Sequence, residues 1–185
     1  GGGIYIRNNS EIDLTNITLA NNNAGLYGDG IYMRDNSVVN LLNSVLWDNG
    51  VSQIYFRSEG TEVELNVSFS IVENNQNGVE TNSNGDLNWL DGNLDSEPYF
   101  CSSSAGNYFV RENSPCLNGG LDGGLIGCLS AGCGPINLGP VWYVDSNGDN
   151  SSDGSLETPF ETIAWACNAA SNGDTIRLSS GVYTG

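Results

Sequence analysis

The chain has 185 residues, with five arginines, no lysine and no histidine against 22 acidic residues, a formal charge of −17. So negative a chain is a poor partner for nucleic acid or anionic membrane, which clustered Lys and Arg grip, and without histidine it lacks His-based triads and the usual zinc sites. No apolar run approaches the roughly 18 residues that span a bilayer, no signal-peptide pattern is present, and a start on Gly rather than Met reads as a processed or excised segment. Asn (26) and Gly (25) together exceed a quarter of the chain, yet 38% is hydrophobic and falls in short alternating runs. Asn and Gly tolerate the positive φ of tight turns, so the composition predicts an all-β protein of many short strands.

An internal repeat organises the first half. Gly3–Asn23 laid over Gly30–Gly50 matches at ten of 21 positions, an offset of 27, and a third copy opens at Ile54-Tyr55-Phe56-Arg57, an offset of 23. Apolar spacing of two and a period in the twenties predict a β-solenoid in place of a helical one. Ile4/Ile6, Ile12/Leu14 and Ile17/Leu19 then face inward, with columns Ile4–Ile31–Ile54 and Leu14–Leu41–Leu65. Asn21–Asn23, Asn49 and Asn74–Asn75 are candidates for side-chain ladders between coils.

The coils Gly1–Asn23 and Gly28–Asn49 open on Gly-Gly-Gly-Ile-Tyr-like motifs with Asn-rich strand–turns, and Leu94–Phe100, Gly106–Val110 and Asn113–Cys116 form a closing segment. In these motifs the chain resembles the secreted right-handed parallel β-helix repeat proteins of microbial cell surfaces. That resemblance implies an all-β, right-handed parallel β-helix with one short capping α-helix. It says little of activity, since adhesins, structural proteins and polysaccharide-active enzymes share the fold.

Trp142–Asn150 through Gly173–Leu178 resembles the beginning of such a domain, with a helix between. Thr158-Pro159-Phe160-Glu161 reads as a capping box with Pro at the first helical position; Phe160, Ile163, Ala164 and Cys167 form its apolar stripe. The expected layout is therefore coils over 1–100, a disulfide-stapled closing segment and linker over 101–140 (the joint being 130–140), and a cap helix with the first strands of a following or neighbouring β-helix over 141–185. The chain would hold the end of one β-helix and the start of another. Both termini, Gly1 and Gly185, look unfinished, and Ile176 and Leu178 would continue the coils of another copy by strand addition. Such contacts do not close and grow filaments; excision from a longer tandem protein explains the same ends.

Four of five cysteines crowd into residues 101–133. Four cysteines allow three connectivities; locality and the family resemblance favour Cys101–Cys116 and Cys128–Cys133, with Cys167 a buried thiol, and oxidised staples would mean an extracellular location. All five reduced and buried is the plainer alternative. Asp145, Asn147, Asp149 and Asp153 alternate as calcium ligands do, making structural calcium a candidate cofactor; the plainer reading is an Asx-rich turn. Asp86, Asp91, Asp95 and Glu97 form a weaker cluster.

For catalysis, a calcium-dependent lyase would need an Arg base from among Arg7, Arg34, Arg57, Arg111 and Arg177, and hydrolysis a carboxylate pair such as Asp13 with Asp29 or Asp35. No motif singles any of them out, so no catalytic residue is assigned. Tyr5, Tyr32 and Tyr55 beside Arg7, Arg34 and Arg57 make an outward ladder that would grip a surface glycan, dock a neighbouring filament, or only stiffen the wall. Asn8, Asn16, Asn66 and Asn150 head glycosylation sequons. The leading expectation is an extracellular structural protein forming a head-to-tail homopolymer; a carbohydrate-binding adhesin and a lyase fragment are the alternatives.

Overall fold

A computed structural model describes residues 2–183; Gly1 and Gly185, on which the reading of unfinished ends rests, lie outside the described residues. The chain divides into two compact units, Gly1–Gly134 and Pro135–Gly185. Unit 1 is a parallel β-solenoid. Its first coil holds β1 (Ile4–Ile6), β2 (Glu11–Thr15) and β3 (Thr18–Ala20); the second β4 (Ile31–Met33), β5 (Val38–Leu42) and β6 (Val45–Trp47); the third β7 (Ile54–Phe56), β8 (Val63–Ser68) and β9 (Ile71–Val72); the fourth β10 (Val79–Glu80) and β11 (Gly85–Trp89). Like strands stack into three sheets, β1-β4-β7-β10, β2-β5-β8-β11 and β3-β6-β9.

Alternation along each strand turns Ile31, Met33, Val39, Leu41, Leu46, Ile54, Phe56, Leu65 and Val67 into one fully buried core, whose area is the main stabilising term. The column Ile4–Ile31–Ile54 forms as expected and continues to Val79. Leu14–Leu41 meets Val67, not Leu65, which belongs to the neighbouring column Ile12–Val39–Leu65–Leu87. The turn after β7 is longer than the turn after β4, and the third coil slides along by one pleat relative to the expected column. A slip of one whole pleat keeps its side chains on the same face. The short β10, which lacks the Ile-Tyr letters of the repeat, hid the fourth coil from the sequence comparison. Gly30 is required for close approach: a Cβ there would collide with the Gln53 carbonyl on the next coil.

Turn groups are satisfied from coil to coil. Ser44 Oγ accepts from the Ile17 amide (3.2 Å), Ser70 Oγ from Ser44 (3.0 Å), and Asn93 Oδ1 from Ser70 (3.0 Å). Asn22 and Asn49 form the expected ladder contact (2.9 Å). Among the described residues nine asparagines, Asn16 and Asn43 included, hold positive φ, as the turn reading required.

The segment after the coils is a lateral strap. β12 (Phe100–Ser102), β13 (Asn107–Arg111) and β14 (Ala131–Cys133) form a small sheet, so residues 131–133 are structured and not part of a linker. Val110, Cys116 and Ile126 pack on Val45 and Ile71, the outward residues of β6 and β9. The strap then reaches back to the first coil: Asn43 Oδ1 accepts from Leu121 N (2.8 Å), Asn16 Nδ2 donates to Leu125 O (2.8 Å), and Cys128 N donates to Thr18 Oγ1 (3.1 Å).

The expected pairing of cysteines is corrected. The disulfide is Cys101–Cys133, with Cα atoms 6.0 Å apart. Cys116 is a buried thiol in the strap core, and Cys128 is exposed. Sequence locality failed because β12 and β14, remote from each other in sequence, both pair with β13, bringing the ends of the segment together.

Unit 2 contains β15 (Val141–Val144), α1 (Ile163–Ala169) and β16 (Thr175–Leu178), with the two strands parallel. The helix starts later than expected. Thr162, not Thr158, is its cap, accepting from Trp165 N (3.3 Å), because Phe160 pairs with Val144 in extended conformation. The rotation buries Ala166 against Trp142, Val144 and Phe160 and leaves Ile163, Ala164 and Cys167 exposed. Cys167 is thus a surface thiol and not a buried one.

Candidate functional site

Two strand edges stand out. On the first coil, β1, β2 and β3 are each the outer strand of their sheet, and Ile4, Ile12, Leu14, Ile17 and Leu19 are only half-buried although they pack on the core. The residues paired one coil on with Ile4, Ile12, Leu14 and Leu19, namely Ile31, Val39, Leu41 and Leu46, are completely buried. In unit 2, the far edge of β15 is engaged by the segment 154–160: Tyr143 N donates to Gly154 O (2.8 Å) and Phe160 N to Tyr143 O (3.0 Å). β16 has no second strand partner among the described residues. Its inward-parity residues are Ile176, half-buried, and Leu178, 51% exposed. A groove of about 270 Å³ beside it has Val144, Leu156, Pro159, Arg177 and Leu178 in its lining.

The Tyr–Arg wall exists. Tyr5 stacks on Tyr32 (centroids 5.1 Å) and Tyr32 on Tyr55 (5.5 Å), and Tyr27 extends the stack over Tyr55 (4.7 Å), a member the repeat comparison missed because it sits in a loop. The rings face one another, so the wall presents edges and hydroxyls more than the open faces a sugar ring stacks on. Arg34 donates to Tyr5 Oη (3.3 Å) and pairs with Asp35 (2.7 Å); Arg57 lies near Asp35 (4.0 Å) and Glu59 (3.7 Å), and Arg7 over the Tyr5 ring (5.8 Å). Burial raises the Tyr32 phenol above its ordinary value.

The acidic loop is held by its own backbone. Asp145 accepts from Asn147 N (2.8 Å), Asp149 from Ser151 N (2.8 Å), and Asp153 from Ser155 N (3.1 Å), Asn137 N (3.0 Å) and the Thr158 hydroxyl (2.6 Å). These bonds hold the Asp145 and Asp149 carboxyls below the ordinary range; burial pushes Asp153 up, but hydrogen bonds from Thr158, Ser155 and Asn137 outweigh that and lower it. Among the described residues no three Asp, Glu or Cys side chains gather as a metal-ligand set.

The candidate catalytic acids are likewise engaged elsewhere. Asp13 accepts from Asn40 (2.8 Å), Asp35 faces arginines, and Asp29 is buried, accepting from Ala24 N (2.6 Å) and Val51 N (2.7 Å). Burial acts to raise the Asp29 pKa, and its backbone bonds bring the net below the ordinary value. Of the sequon asparagines, Asn16 is bound to the strap, Asn66 lies in a side-chain ladder, and Asn150 Oδ1 caps Thr162 N (3.0 Å); Asn8 is exposed in a positive-φ turn.

Scanned against family models, curated proteins and solved structures, the chain matches none. The functional reading therefore stands on geometry.

Proposed function

We propose that the protein is an extracellular structural protein that lengthens head to tail, the coils of one copy continuing those of the next. The observation that carries this reading is the first coil, where Ile4, Ile12, Leu14 and Leu19 are half-buried while their partners one coil further in are fully buried. Ile6 alone among the first coil's inward strand residues is sealed. Continuing a parallel ladder would bury the rest of Ile4, Ile12, Leu14 and Leu19, each gaining about half of the roughly 1.5–3 kcal/mol that full burial of such a side chain is worth. The Cys101–Cys133 bond supports an oxidising, extracellular setting, and the negative charge would keep finished fibres apart. Electron microscopy of the purified chain tests it: fibres with a fixed axial repeat are expected, and monodisperse particles at high concentration would remove the proposal.

A second reading, a glycan-binding wall, is favoured by the hydroxyl and guanidinium groups repeated at Tyr5, Tyr32, Arg7 and Arg34. Glycan-array binding that disappears in Tyr32→Ala is its expected signature.

A further inference from the structure

Along the outer face of β2-β5-β8-β11 runs an amide ladder with a direction. Asn88 Nδ2 donates to Asn66 Oδ1 (2.8 Å), Asn66 Nδ2 to Asn40 Oδ1 (2.9 Å), and Asn40 Nδ2 to Asp13 Oδ1 (2.8 Å). Each coil hands a proton donor to the coil before it, and Asp13 ends the series, since a carboxylate accepts and has no N–H to pass on. A strand against the outer edge of β2 would continue the ladder only by bringing its own donor to Asp13, which is exposed at its end.

β16 carries one. Arg177 is the only cation in residues 135–185; it rests over the Tyr143 ring at 5.9 Å and has no carboxylate partner among the described residues. We propose that β16 of one copy adds in parallel to β2 of the next in the register Thr175–Glu11, Ile176–Ile12, Arg177–Asp13, Leu178–Leu14. This rests on the stacking reading above and specifies its seam.

Three observations select that register. It places Ile176 and Leu178 on the half-buried Ile12 and Leu14, so that Trp142–Ile176 runs on into Ile12–Val39–Leu65 and Val144–Leu178 into Leu14–Leu41–Val67. It sets the guanidinium on the acidic residue that ends the ladder, an opposite-charge neighbour pair of the kind that fixes register. A shift of one residue would turn Arg177 into the apolar columns. A shift of two toward Glu11 keeps an ion pair but sets Ile176 against Ser10. The other edge of unit 2 is occupied by residues 154–160, so addition has one direction only.

The test is sedimentation velocity with electron microscopy on the full chain. Asp13→Arg and Arg177→Asp should each raise the concentration needed for association by about tenfold, because a like-charge contact replaces an opposite one, and the two substitutions combined should restore it. Independently, in a Cys128→Ser, Cys167→Ser background, Thr15→Cys with Ser179→Cys, which this register places opposite one another, should form a disulfide between chains under mild oxidation. Circular dichroism checks that each variant folds. Wild-type chains that associate while the charge variants behave like wild type, or a bond between the two introduced thiols confined within one chain, would overturn this seam and leave stacking standing. Wild-type chains that never associate would overturn both.

Discussion

In the coils inward side chains stack on inward apolar side chains one coil away, Ile31 on Ile54 and Leu41 on Val67. In the strap, Val110, Cys116 and Ile126 meet unlike residues, Val45 and Ile71, that the coils turn outward. The coils gain from repetition, since one solved contact is used several times. The strap's contacts are each used once and lean on a few polar bonds, to Asn16, Thr18 and Asn43, and on one covalent link. Losing a coil contact should therefore weaken the whole of unit 1, and losing a strap contact should loosen the strap first.

The largest expected effect is in the coils. Phe56→Ala, at a completely buried position, should cost about 3–5 kcal/mol in denaturant unfolding, whereas Ile12→Ala, half-buried on the first coil, should cost the isolated chain about 1–2 kcal/mol. Equal losses at the two positions would mean that the first coil is already sealed. Next, Cys101→Ser with Cys133→Ser should cost about 2–4 kcal/mol, and hydrogen exchange should speed up over residues 100–133 before it does in the coils. Uniform acceleration would erase the distinction between strap and stack. Ser44→Ala leaves the half-buried turn amide of Ile17 without its acceptor and should cost about 1–2 kcal/mol.

Smaller effects come from titration and labelling. Asp29 has a lowered pKa in the folded chain, so its contribution is present above the unfolded value of 3.8 and fades as pH falls through and below it; Asp29→Asn should flatten that part of an acid-unfolding curve. Burial raises the Cys116 thiol, although the Ser114 hydroxyl opposes it. Iodoacetamide on the native protein should accordingly label Cys128 and Cys167 and spare Cys116 until the strap opens.

The same contrast governs what could be read in advance. The solenoid was legible because Gly-Ile-Tyr and Asn-Ser recur at fixed offsets, and the Tyr column followed from the same repeat. The slip of Leu65 to a neighbouring column came from extra residues in one turn, which identity counting does not register. The fourth coil was lost because Val79-Glu80 and Gly85–Trp89 share its geometry without its letters. The disulfide depended on a reversal at β13 that no local spacing encodes. At Phe160, pairing with Val144 outweighed a capping motif, a tertiary preference overriding a local one. Of the directed amide ladder, Asp13 and Asn40 share the repeat offset of 27, but Asn66 joins them only through the slipped register, and which atom donates becomes plain only in three dimensions.

The strap leaves the solenoid after the last coil and is fastened again at the first, through Asn16 and Thr18. Tension along the solenoid axis would thus be carried by two members in parallel, the stacked ladders and a clasp running alongside them. Separating the first coil from its neighbours requires releasing the clasp as well, so resistance to stretching is shared across the whole length of unit 1 and does not fall on the outermost ladder alone.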